Sequence, residues 1–193
     1  MWTENNLSHG TQYWINLPYS VRHHHAEDDE TIICNFWSLV LTLVMSHSIC
    51  YSGHHQQRRI TNAFIDWYVH KHIGKRYKLD FNIITKGCKK EDIYGEMGVL
   101  DALHRPRFFE IVLHSGLSKW DYLVTLAHEM VHVRQRVFGE YVTKYDENYW
   151  LRQRVPSTVK YDDEPWEIDA RRWERYLAIR AIEEGVVTGV TPE

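Results

Sequence analysis

Apolar positions recur along this chain with two periods, and the elements follow from them. From Gln56 onward, Ile60, Ala63, Phe64, Trp67, Tyr68 and Ile73 fall at helical spacing, and Gly74 marks a stop. Leu79–Ile84 alternates apolar with polar, as a half-buried strand does. A second strand is predicted over Ile93–Leu100, where Gly95 and Gly98 signal a bulge or a close backbone approach. Arg107–His114 is dense in β-branched and aromatic residues and predicts a third. A long helix follows, opened by a capping box from Ser118 to Asp121 and closed by Gly139. Leu123, Val124, Leu126, Ala127, Met130, Val131, Val133, Val137 and Phe138 leave little of its circumference polar, which predicts burial. Pro165 suits a first helical turn, with Asp163 or Glu164 as cap, and predicts a last helix over Trp166–Glu184 that Gly185 ends. Trp166, Ala170, Trp173, Leu177 and Ala181 form its apolar stripe. The fold class is α+β, in the order helix, three strands, buried helix, last helix.

This regular pattern occupies residues 56–185; residues 186–193 read as a tail. Residues 1–55 read as an N-terminal extension, with Met45 as an internal start. They hold the triplet His23-His24-His25, the acidic run Glu27–Glu30 and the apolar stretch Ile32–Met45. The triplet reads as a solvated loop. Fourteen residues, with Asn35 among them, are short for a membrane span. Acid rather than Lys or Arg precedes them, unlike a signal peptide, so a buried or interfacial helix is expected. The chain of 193 residues has a net charge of −3, and its basic pairs are scattered, so a broad nucleic-acid footprint is not indicated. Three cysteines without a C-x-x-C pair fit a reducing, cytoplasmic compartment.

The chemistry concentrates in the buried helix. His128-Glu129-Met130-Val131-His132 is an H-E-x-x-H pentapeptide, and residues four apart share a helix face. Two imidazoles so placed can ligate one Zn²⁺, while Glu129, about 100° round the helix, can reach a metal-bound water as general base. A catalytic zinc takes a third protein ligand and keeps an open position. No histidine follows His132, which leaves carboxylates. Glu167 is the expected ligand: it lies in the first turn of the last helix, at the border of the apolar stripe, and Ala170 is small enough to let two helices approach. Glu164 and Asp169 have the simpler role of favouring a helix N-terminus.

His128–His132 followed by Trp166-Glu167-Ile168-Asp169-Ala170 resembles the gluzincin branch of zincin metallopeptidases, in which H-E-x-x-H pairs with a later E-x-x-A. Small bacterial and phage proteins of the SprT-like and ImmA-like kind are the most similar. The resemblance spans roughly Gln56–Gly185 and implies a compact zincin core, a zinc ion on His128, His132 and Glu167, catalysis through Glu129, and a peptide or protein substrate. It also implies that Arg107–His114 is the edge strand holding extended peptide. The third histidine and zinc ribbon of SprT-type enzymes are lacking. Arg171 stands where many gluzincins carry an acid that orients a histidine ligand, which leaves Asp169 and Asp163 for that task. Tyr161, Arg171 and Tyr176 are candidate oxyanion donors. A zinc-bound interaction module without catalysis, a SprT-like DNA-directed protease and a deformylase are alternatives. The last wants a cysteine ligand in its own motif, and Cys88 stands alone.

Overall fold

The computed structural model describes residues 47–53, 57–87, 94–101 and 104–193. The His23–His25 triplet, the Glu27–Glu30 run and the Ile32–Met45 stretch lie outside the described residues.

The chain is mixed α and β. Strand β1 (His47–Gly53) leads to helix α1 (Arg58–Tyr68), which continues as a π-helical turn to Ile73. Gly74 ends it at φ 102°, a conformation that suits glycine. Strands β2 (Leu79–Lys86), β3 (Gly95–Val99) and β4 (Phe108–His114) follow, then helix α2 (Lys119–Phe138). A three-stranded antiparallel meander, β5 (Tyr141–Lys144), β6 (Glu147–Trp150) and β7 (Gln153–Val155), precedes helix α3 (Pro165–Glu183).

The main sheet has the order β1-β2-β4-β3, with β1, β2 and β4 parallel and β3 antiparallel to β4. Two expectations need correction. The sheet has four strands rather than three, because His47–Gly53, assigned above to the extension, pairs along its whole length with Leu79–Thr85. Arg107–His114 is not the edge strand: β4 is paired on both sides, and β3 lies at the margin. The burial of Phe109, Ile111 and Leu113 suits an interior position, since a strand flanked by two others loses more of its surface to packing.

Helix α2 is the centre of the core. The Ser118 hydroxyl accepts from the Asp121 amide at 3.1 Å, and Gly139 takes the left-handed conformation at φ 71°. Leu123, Leu126, Ala127, Met130, Val131, Val133 and Val137 are fully buried, in one cluster with β2 and β4 and with Ala170, Leu177 and Ala178 of α3. Fully burying one such branched side chain is worth about 1.5–3 kcal/mol, so α2 holds its polar residues in a rigid setting. Residues 186–193 are more than a tail, because Val187 and Val190 are buried in the same cluster.

Candidate metal centre

Because α2 is buried nearly all round, His128, Glu129 and His132 sit in protein rather than in water. Glu129 and Glu167 are each 5% exposed and His132 7%. The packing of α3 on α2 brings Glu167 over the two rings. The His128 and His132 Nε2 atoms stand 3.1 Å apart. One Glu167 oxygen lies 3.2 Å from His132 Nε2 and the other 3.3 Å from His128 Nε2.

The opposite ring nitrogens decide what this cluster can do. His128 Nδ1 donates to Glu174 Oε2 at 2.7 Å, and His132 Nδ1 donates to Gln135 Oε1 at 2.9 Å. With both Nδ1 atoms acting as donors, both Nε2 atoms of neutral imidazoles present lone pairs. Those lone pairs and a carboxylate converge on one point, and buried Glu167 Oε2 has no hydrogen-bond partner. The Tyr161 hydroxyl reaches Glu167 as well, but two lone pairs facing an unpartnered carboxylate oxygen still require a cation or a proton. Ligand atoms around a tetrahedral ion at about 2.0–2.1 Å lie about 3.3 Å apart, close to the 3.1 Å between the two Nε2 atoms, and each Nε2 has one Glu167 oxygen at 3.2 or 3.3 Å. His128, His132 and Glu167 could therefore hold a metal ion. Without one, a proton serves: burial disfavours the charged His128 ring, but the Glu167 and Glu174 hydrogen bonds and the Glu129 charge outweigh it and raise the ring to about 9. The same histidines hold the Glu167 carboxyl well below its ordinary value, against the effect of burial.

The Glu129 carboxylate lies beside this triangle and makes no hydrogen bond or ion pair among the described residues. Burial raises its carboxyl to about 7; the Glu167 and Glu96 charges add to that and the two histidines oppose it. Strand β3 crosses close by. A Cβ on Gly95 would fall 2.5 Å from Thr125 Cγ2 and 2.9 Å from Glu129 Oε1, so the glycine is the close approach that its place in the strand pattern suggested. Above the triangle opens a cleft of about 940 Å³, walled by Tyr94–Met97, α2, Tyr141 and the start of α3.

The remaining candidates separate. Tyr161 lines the cleft, 63% exposed. Partial burial and the neighbouring Glu167 carboxylate raise its hydroxyl, so it stays a proton donor. Arg171 also lines the cleft, but its guanidinium is held by Asp162 at 3.0 Å. Tyr176 lies outside the cleft lining, exposed and edge-on to Trp173. Glu164 takes the N-cap position of α3 without a side-chain cap bond. The ring-orienting task falls to neither Asp169 nor Asp163. Asp169 acts one step removed, accepting from Gln135 Nε2 and Arg134, and Asp163 is exposed. Glu174 was legible in part: it follows Glu167 by seven residues, two turns along the same face. Gln135 follows His132 by three, also on one face.

Among the described residues no helix is long and apolar enough to cross a membrane. Comparison with known proteins adds no relative: no family model matches the chain, and neither a curated protein nor a solved structure matches it.

Proposed function

We propose that this protein is a zinc-dependent metallopeptidase of the gluzincin kind, hydrolysing peptide bonds in an extended substrate. The observation that carries the proposal is the convergence of two imidazole lone pairs and a buried carboxylate, with an unpartnered glutamate beside them. Two nitrogens and one oxygen suit zinc, and three protein ligands leave a position open. When bound, zinc would acidify a water and polarise a carbonyl.

The chain's own residues supply the rest. His128, His132 and Glu167 would hold the ion, with Glu174 and Gln135 fixing the two rings. Glu129 takes the proton of the attacking water and then delivers it to the leaving amine; a carboxylate buried beside the triangle and without an ion-pair partner among the described residues is free for both. The Tyr161 hydroxyl is the best-situated donor for the developing oxyanion. Strand β3 is paired on one side only, so its other edge can take an extended peptide by strand addition.

An interaction module without catalysis would have no use for a buried, unpartnered Glu129, whose desolvation is unfavourable. A DNA-directed protease finds little support in a cleft rich in carboxylates. The test is metal analysis and peptide-library cleavage with the parent, Glu129→Gln and Glu167→Ala proteins. The expected result is one zinc per chain, retained without cleavage in Glu129→Gln and lost in Glu167→Ala. Parent-rate cleavage by zinc-loaded Glu129→Gln, or a folded parent that takes up no metal, would overturn it.

A further inference from the structure

We propose that the cleft selects peptides with a basic side chain near the scissile bond, read by Glu96 and Glu164. This rests on the metallopeptidase reading and adds the substrate class. Most charged side chains of the cleft already have partners. Both arginines in its lining are held: Arg136 lies 3.6 Å over the Tyr141 ring and donates to Thr143, and Arg171 is bound to Asp162. Two of the carboxylates are also held, Asp121 by the Ser118 cap and Glu174 by His128. Glu129 and Glu167 belong to the metal centre. Glu96 and Glu164 remain: neither has an ion-pair partner among the described residues, and Glu164 takes one hydrogen bond, from Trp166, which leaves its charge in place.

Their positions make them readers of a substrate. Glu96 is exposed on β3, between Gly95 and Met97, on the strand whose free edge faces an incoming peptide. A peptide strand laid along that edge sets its side chains about 4.5–5.5 Å from those of β3. Glu164 stands half-buried at the start of α3, three residues from Glu167, and its carboxylate does not turn back to cap the helix. Glu129 is a second, independent pointer: 95% buried by its 5% exposure and without a partner, it faces the same cleft and marks where the reacting bond must sit. The zinc charge is balanced by Glu129 and Glu167 and that of Arg171 by Asp162. Among the described residues of the lining, the carboxylates Glu96, Asp121, Glu164 and Glu174 then outnumber the one remaining cation, Arg136, so the cleft is net negative beside that point. A cationic side chain neutralises Glu96 and Glu164, an acidic one is repelled, and the exposed Tyr94 ring offers surface to an aliphatic stem.

The experiment measures binding of labelled peptides to full-length, zinc-loaded Glu129→Gln protein by fluorescence anisotropy, alongside cleavage by the parent. Peptides differ at one position as lysine, norleucine or glutamate. Lysine is expected to bind about tenfold more tightly than norleucine, roughly what one charge-assisted contact supplies, and glutamate more weakly than either. Adding Glu96→Gln and Glu164→Gln should remove that preference at unchanged zinc stoichiometry. Peptides bound and cut without preference for lysine would overturn the inference and leave the peptidase reading standing. A preference that survives both substitutions would overturn the assignment to these residues. Zinc-loaded protein that neither binds nor cuts any peptide would overturn both.

Discussion

Gln135 ties His132 to the helix that carries Glu167. Its Oε1 accepts from His132 Nδ1 at 2.9 Å, and its Nε2 donates to the Trp166 carbonyl at 3.0 Å, one residue before Glu167. The same Nε2 donates to Asp169 at 3.0 Å. A fully buried amide thus sets the register between the two halves of the candidate metal centre. Gln135→Leu leaves the His132 Nδ1–H and the Trp166 carbonyl without their partner. It is expected to weaken zinc binding about 10–100-fold and to lower unfolding stability by about 1–3 kcal/mol. Chelator competition and denaturant unfolding check the two halves; parent values in both would show the amide to be incidental.

Glu174 acts on the other ring through a carboxylate. Glu174→Ala is expected to weaken zinc binding about 10–100-fold, and Glu174→Gln, which keeps an acceptor, to recover most of it. A glutamine variant as weak as the alanine one would locate the effect in charge rather than in ring orientation.

At Gly95, β3 comes close to helix α2. Gly95→Ala puts a methyl group into Thr125 and Glu129, at 2.5 and 2.9 Å, and must shift one of them. Stability should fall by about 1–3 kcal/mol, and kcat by about 100-fold if Glu129 moves by an ångström. Adding Thr125→Ser removes the nearer contact and should restore stability more than kcat. Equal recovery of both would mean that Glu129 had not been displaced.

Glu184 joins α3 to the end of α1: it accepts from the Trp67 indole at 2.8 Å, from Arg180 at 2.7 Å, and from Lys71. The Lys71 bond first, then the Trp67 bond, lower its carboxyl from 4.5 to about 2. The folded protein binds this proton more weakly than the unfolded chain does. Its stabilising contribution is therefore full above pH 4.5 and is lost as the pH falls towards 2. Glu184→Gln should lower stability at pH 7 and flatten the acid-unfolding profile across that window. Parallel profiles for the two proteins would contradict this.

Truncation after Gly185 should destabilise the fold, because Val187 and Val190 are 3% and 7% exposed. The expected loss is about 1.5–3 kcal/mol for each valine, read from denaturant unfolding. An unchanged midpoint would mean that these contacts contribute nothing in solution.

What could be read from the residues in order was whatever depends on the nearest few turns. The caps at Ser118 and Gly139, the burial of α2 and the shared face of His128 and His132 are local consequences of helical period. The Gly95 approach was legible as a glycine out of place in a strand pattern. The choice of Glu167 used the border of a stripe and a small residue three positions on, which is still local information about how α3 can pack.

Other features required the chain to be folded. Strand β1 carries no strong alternation of its own and becomes a strand through pairing with β2. Sequence pattern could not rank β3 against β4 as the edge, because position in a sheet depends on partners far along the chain. The turns of the meander place Tyr145, Asp146, Leu151 and Arg152 at positive φ without a glycine, so no turn residue announced them. Gln135 and Glu174 have ordinary surroundings in the sequence and gain their partners only when α2 and α3 pack. A helix's period fixes which side chains share a face; which face meets which, and so where a metal ion can be held, is decided by the burial of apolar surface across the whole domain.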